Sequence, residues 1–258
     1  MWRRIGQSVQ GRSHSGEGSP CQDSHAVCVL GDGDAVTLVA CVADGAGSAR
    51  FSDRGSAITC GAIIECAESY FAANGGFDSL QMKDVVSWCE DVRTRIQIAA
   101  DLRQCECREL ATTLCAAIVT PTSSFFFQIG DGAIILGRGG VYGVVFWPQS
   151  GEYANSTNFI TADEYRDRLE FLATTSRFSD VALFTDGIER LALRFETRTP
   201  HAPFFEPLFR ALRATDDVEG LSEGLRKFLA SDSVQIRSDD DKTLILASRQ
   251  TVDVGHTA

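Results

Sequence analysis

Val42-Ala43-Asp44-Gly45-Ala46-Gly47-Ser48 comes directly after the apolar run Val36-Thr37-Leu38-Val39-Ala40-Cys41. A β-branched run ending in Asp-Gly puts a carboxylate at the rim of a buried strand, where glycine lets the backbone turn sharply. Three further junctions of this kind lie downstream: Ile129-Gly130-Asp131-Gly132, Leu183-Phe184-Thr185-Asp186-Gly187, and Asp239-Asp240-Asp241 ahead of Thr243-Leu244-Ile245-Leu246. Asp23, in Cys21-Gln22-Asp23-Ser24 before the run Ala26–Leu30, is a fifth. Taken singly, an Asp-Gly favours a turn and needs no other role. Taken jointly, strand-end carboxylates from distant parts of a chain are how a hard cation gathers oxygen ligands.

If the strands stack as two sheets, Asp23, Asp44, Asp131, Asp186 and Asp240 can converge at one edge. Like charges a few ångströms apart cannot all stay ionised, and two divalent ions would relieve the repulsion. Aspartates, waters and one backbone carbonyl make the all-oxygen shell that suits Mg2+ or Mn2+; no His-Cys set is placed to suggest zinc. Two such ions can activate a water and stabilise an in-line displacement at phosphorus, so phosphoester hydrolysis is the expected chemistry.

The whole chain sets bounds on that reading. With 258 residues, 44% of them hydrophobic, it can bury a substantial core, and one domain over residues 1–250 is expected, with a short tail at 251–258. A net charge of -11 argues against a nucleic-acid partner, because phosphate backbones are held by clustered Lys and Arg. Nine Cys without a C-x-x-C pair fit a reducing, cytoplasmic setting. No apolar run is long enough for a transmembrane helix, and Met1-Trp2-Arg3-Arg4 is not followed by the apolar stretch of a secretory signal, so no membrane partner is expected.

In chain order, Gly11 to Pro20 is a turn-rich loop between two strands, and Gly31-Asp32-Gly33-Asp34 reads as a hairpin turn. A helix capped by Ser52 follows, with Ala57, Cys60, Ile63, Ile64, Ala67 and Phe71 on one face until Asn74-Gly75-Gly76 stops it. Asp84 caps a second, with Val85, Trp88, Cys89, Val92, Ile96 and Ala99 inward. Strands at Ala111–Thr120, Ser124–Ile129, Ala133–Leu136 and Val141–Phe146 then read as an antiparallel meander. Residues 147–180 are irregular and are expected to form a functional flap. A strand at Val181–Phe184, a helix beginning at Ile188, two helices near Phe205–Leu212 and Asp217–Leu229, and a strand at Thr243–Ala247 close the chain. Such blocks predict α+β layers with sheets inside and helices outside.

The ordered set Gln22-Asp23, Asp44-Gly45-Ala46-Gly47, Leu110-Ala111-Thr112-Thr113-Leu114, Gly130-Asp131-Gly132, Thr185-Asp186-Gly187 and Asp240-Asp241-Lys242-Thr243 resembles the metal-dependent serine/threonine protein phosphatases of type 2C (PPM) over nearly the whole chain. Ser8-Val9-Gln10-Gly11-Arg12-Ser13-His14, Cys21-Gln22-Asp23 and Tyr153-Ala154-Asn155-Ser156-Thr157-Asn158-Phe159 resemble the bacterial branch. The resemblance implies a central antiparallel β-sandwich flanked by helices on both sides, a four-layer αββα arrangement, with a binuclear Mg2+/Mn2+ centre at one end. It implies Asp44 bridging both ions, the Gly45 carbonyl and Asp23 serving the second, Asp186 and Asp240 holding the first, and Asp131 supporting a weaker third. Asp44 and Asp186 would thereby act in catalysis through a metal-activated water. Asp241 stands where the family usually has Asn, and is read as a neighbour of the ligand Asp240.

Three departures stand out. Ala46 replaces the His that many eukaryotic members carry as candidate general acid. Gly16 to Pro20 hold no Arg where the family grips phosphate, which leaves Arg12 and His14 as candidates to reach it. Gly132 replaces the commoner Ser. The expected function is hydrolysis of phosphoserine or phosphothreonine on phosphorylated proteins, by a monomer that reverses the marks of a cognate Ser/Thr kinase. Two rivals are a phosphoprotein-binding pseudophosphatase and a phosphatase for small phosphoesters.

Overall fold

The computed structural model describes residues 1–13, 20–149 and 157–249. The strands that matter for the site are β1 (Trp2–Val9), β2 (Ser24–Leu30), β3 (Thr37–Ala43), β4 (Leu114–Val119), β5 (Ser124–Ile129), β6 (Ala133–Arg138), β7 (Val141–Val144), β8 (Glu170–Thr174), β9 (Asp180–Phe184) and β10 (Lys242–Arg249). They form two five-stranded sheets, β1-β10-β9-β6-β7 and β2-β3-β4-β5-β8, with antiparallel pairing throughout. Four longer helices cover them: α1 (Ser52–Asn74), α2 (Met82–Arg103), α3 (Ala202–Ala214) and α4 (Val218–Leu229).

The apolar runs decide the layering. Every residue of β3 is buried, and alternation divides them between two cores. Leu38, Ala40 and Val42 pack between the sheets with Ile134, Leu183 and Ile245, while Val39, Cys41 and Ala43 pack under α1 and α2 with Ile63, Val92 and Ile96. In the same way Ile245 and Ala247 of β10 face the other sheet, and Leu244 and Leu246 face Phe205, Phe209 and Leu225 of α3 and α4. A strand buried on both faces needs no polar alternation, and each fully buried Leu or Phe contributes about 1.5–3 kcal/mol. The four-layer α-β-β-α order follows as expected.

Several local readings change. The meander is two hairpins in different sheets: β4 pairs with β5, then the chain crosses at Gly130-Asp131-Gly132 so that β6 and β7 join the opposite sheet. Gly130 makes the crossing at φ 110°, where a side chain would be strained and would meet the Thr113 side chain at 2.6 Å. Periodicity reports a strand's faces but not which sheet it enters. Ser52 is the first buried residue of α1 rather than its cap, and its hydroxyl donates back to the Ala49 carbonyl. Asp84 sits at the third position of α2, completing a capping box with Gln81. Ala57 is exposed, because the seam of α1 runs through Gly55, Ser56, Thr59 and Cys60, small residues that let the helix lie close to the loops beneath it. The hairpin turn before β3 contains a 3-10 turn at Gly33–Ala35, and Gly75 ends α1 in the left-handed conformation. The helix expected from Ile188 is a 3-10 turn at Asp186–Ile188 followed by one α-turn, Glu189–Ala192.

Part of the expected flap is regular: Glu170–Thr174 is β8, the edge strand beside β5, preceded by a helical turn at Tyr165–Arg168. Tyr153, Asn155, Ser156, His14 and the tail at 251–258 lie outside the described residues. The nine cysteines are all free, and no helix among the described residues is long and apolar enough to cross a membrane.

Candidate metal centre

Strand register fixes the five aspartates. Ser24 pairs with Ala43, so Asp23 and Asp44 flank one end of the β2–β3 pair. Phe184 pairs with both Leu244 and Ala133, so Asp186, Asp240 and Asp131 leave the other sheet at the same end. Asp131 occupies the crossing between the sheets and closes the gap.

Hydroxyls and backbone groups hold each carboxylate-bearing loop. The Asp44 N–H donates to Thr113 Oγ1 at 2.9 Å, and its carbonyl accepts from the Thr113 N–H at 2.8 Å and Thr112 Oγ1 at 3.0 Å. The Gly45 N–H donates to the Gln22 carbonyl at 3.2 Å, linking the Asp44 and Asp23 loops. Thr185 Oγ1 donates to Asp23 Oδ2 at 2.6 Å and accepts from the Thr243 N–H at 3.1 Å. Asp131 Oδ2 accepts from the Thr157 hydroxyl.

Asp241 is buried and ties loops, accepting from the Gly11 N–H at 2.7 Å and the Gln22 N–H at 2.5 Å. Ser8 of the amino-terminal motif shares hydrogen bonds with His25 Nδ1 and Thr243 Oγ1. Gly187 lies so near the Asp241 carbonyl, 1.8 Å from where a Cβ would stand, that only glycine fits.

The electrostatics are those of a crowded acidic cluster. Burial, then Asp23, Asp186, Asp131 and Asp240 in turn, hold the Asp44 carboxyl well above the usual range. Burial raises Asp23 to about 8 despite the Thr185 and Thr243 hydroxyls, with Asp241 and Asp186 adding to the rise. Asp186 is pushed to about 7 by burial and then by Asp131 and Asp240, and it stands close enough to Asp44 to share a hydrogen bond. Burial also raises Asp131 against its Thr157 bond.

Asp23 Oδ1, Asp131 Oδ1 and Asp186 Oδ1 are buried with no hydrogen-bond partner among the described residues. Orphaned carboxylate oxygens in mutual repulsion are what an all-oxygen cation site offers. The cluster is coupled but not contracted to a point, for no three acidic, His or Cys side chains among the described residues are already drawn together so that they could hold an ion. The donor chemistry fits hard divalent cations; the carboxylates would have to close in around them.

Sequence reasoning gave no role to five residues found here. Thr112, Thr113 and Thr185 stand in the quoted motifs with no role of their own. Lys242 is fully buried and donates from Nζ to the Asp240 carbonyl and to Gln235 Oε1. Glu189, three residues beyond Asp186, is raised by burial and by Asp131; the i,i+3 spacing at a helix start was its one signal. Arg12 is exposed and ion-paired with Asp232. Its loop lies beside Asp240 through Ser13, whose N–H donates to the Asp239 carbonyl at 3.0 Å. Ala46, next to Gly45, donates its N–H to the Ala111 carbonyl and offers no acid.

Comparisons with known proteins bear on this geometry. The family described as Protein phosphatase 2C matches residues 10–230. "Serine/threonine-protein phosphatase 3" of Escherichia coli K12 is 36% identical over 251 residues, covering 95% of this chain and 98% of the relative. Among solved structures, the serine/threonine phosphatase Stp1 of Staphylococcus aureus superposes with a TM-score of 0.65 at 14% identity, over 97% of this chain and 96% of that one. PppA of Pseudomonas aeruginosa, described as a regulatory component of T6SS, gives 0.63 at 18% identity, over 96% and 97%.

Proposed function

The chain belongs to the protein phosphatase 2C family and is a serine/threonine protein phosphatase; we propose that it works through divalent cations, Mg2+ or Mn2+, held by Asp23, Asp44, Asp186, Asp240 and the Gly45 carbonyl, with Asp131 supporting a further ion. The observation that carries this reading is the set of strand-end aspartates in one another's field, three of them with a buried oxygen that has no partner among the described residues. Cations there would supply the Lewis acidity that activates a water and offsets charge on the phosphoryl oxygens.

The chain's own residues do the positioning. Thr185 fixes Asp23, Thr112 and Thr113 fix the Asp44 backbone, and Lys242 braces the Asp240 carbonyl, so the loops that carry the carboxylates are anchored before substrate arrives. With Ala46 beside the site, the departing serine or threonine oxygen takes its proton from water or from another side chain. The substrates are phosphorylated proteins, and a Ser/Thr kinase that makes these marks is the expected counterpart.

Phosphate release from a phosphothreonine peptide, measured with Mn2+, Mg2+ or chelator, tests the reading. Metal-dependent release that disappears in Asp44→Ala and Asp186→Ala supports it. Peptide binding without release by folded, metal-loaded wild type would overturn it in favour of a phosphoprotein-binding module.

A further inference from the structure

The strands that bear carboxylates at one end bear arginines at the other. Arg138 ends β6, Arg177 precedes β9, Arg249 ends β10, and Arg213 reaches in from the end of α3. These four and Asp180 line one cavity of about 700 Å³, a size suited to a small organic ligand. In a chain of net charge -11, four cations against one acid is a local reversal.

That one acid is already spoken for. Asp180 is 2% exposed and accepts from Arg213 Nη1 at 2.7 Å, Ser248 Oγ at 2.6 Å and Ser179 Oγ at 3.3 Å. Arg249 is laid over the Trp2 ring at 4.9 Å and donates to the Val36 carbonyl, so its guanidinium is fixed without an acidic partner among the described residues. Its pKa is lowered by burial and then by Arg177. Arg138 and Arg177 are exposed and form no ion pair among the described residues. Two guanidinium groups held by their contacts, with two exposed ones beside them, match phosphoryl oxygens in geometry as well as charge.

A second cavity of about 660 Å³ continues from the first, sharing Arg138 and Phe178, and runs between the edges of β7 and β8. Its walls are mostly apolar, including Val141, Tyr142 and Leu172, and Val141 and Leu172 are 75% and 40% exposed.

We propose that this end of the sandwich binds a small organic phosphate, with its phosphoryl groups among Arg138, Arg177, Arg213 and Arg249 and its apolar or aromatic body in the β7–β8 groove; a nucleoside diphosphate is the simplest molecule of that description. The site lies the length of β9, about 16 Å, from the aspartate cluster. It needs no cation and does not rest on the catalytic reading.

Calorimetric titration of the full chain in excess chelator tests it, because without cations the aspartate end repels phosphate. ADP, pyrophosphate, inorganic phosphate and adenosine are the probes. We expect saturable ADP binding, weaker pyrophosphate and phosphate binding, none for adenosine, and a loss of at least about tenfold in ADP affinity in Arg138→Gln/Arg177→Gln. Phosphopeptide hydrolysis by that variant should equal wild type, so a failure here is separable from a failure of the catalytic proposal. Equal ADP affinity in the double variant, or no saturable binding of any phosphate, would overturn the site. Pyrophosphate binding as tightly as ADP would remove the groove from it.

Discussion

At the aspartate end Asp23 is 5% exposed and Asp44, Asp131, Asp186 and Asp240 are half-buried, while at the opposite end Arg138 and Arg177 stand in water and only Arg249 is drawn inward. Both ends concentrate one sign of charge. They differ in what water can do about it. Solvent screens the arginines, so their repulsion costs little, whereas buried carboxylates must be protonated or matched by cations. The first arrangement can wait for a ligand at no great cost in stability. The second stays under strain until something positive arrives.

The sharpest way to break this contrast is to remove one aspartate. Asp44→Ala should lower metal-dependent phosphate release by at least about a hundredfold while leaving the chelated protein as stable as wild type or more so, since a buried like charge has been deleted. A chelated variant that melts well below wild type would mean that the cluster is not repulsive.

Titration should separate the ends next. Asp23 and Asp186 have folded pKa values of about 8 and about 7, above the usual carboxylate range. The folded state therefore holds protons that the unfolded chain gives up, and stability present at low pH is lost as pH rises through those values. In chelator the melting temperature should fall by more than about 5 °C from pH 5 to pH 8.5, and saturating Mn2+ should flatten the slope. A pH-independent melting curve in chelator would count against buried, repelling carboxylates.

A smaller effect comes from shape. Gly187→Ala must push against the Asp241 carbonyl and should cost about 2 kcal/mol or more by denaturant unfolding, with activity falling as the Asp186 and Asp240 loops part. The smallest belongs to the other end. Arg138→Gln/Arg177→Gln should change stability by no more than about 0.5 kcal/mol, because neither side chain has an ion-pair partner to lose among the described residues.

The two ends also differ in how far the sequence disclosed them. The aspartates were legible because Asp-Gly after a β-branched run is a local signal, and the buried runs of β3 and β10 gave the layers. What escaped was set by tertiary contact: which sheet receives the chain after Gly130, which residue caps α2, and which threonines brace the aspartate loops. The arginines had no signal at all. Positions 138, 177, 213 and 249 share no motif and meet only because three strand ends and one helix end meet.

β10 lies between β1 and β9, with Asp240 just before it and Arg249 at its far end. A chain growing from its amino terminus makes β1 first and β9 much later, yet has nothing to join them until residues 242–249 emerge. Until then one sheet lacks the strand that joins β1 to β9, and both charged ends lack a member. The nascent protein thus keeps its aspartate cluster and its arginine pocket incomplete until residues 242–249 have emerged, and completes both when a single strand slots into place.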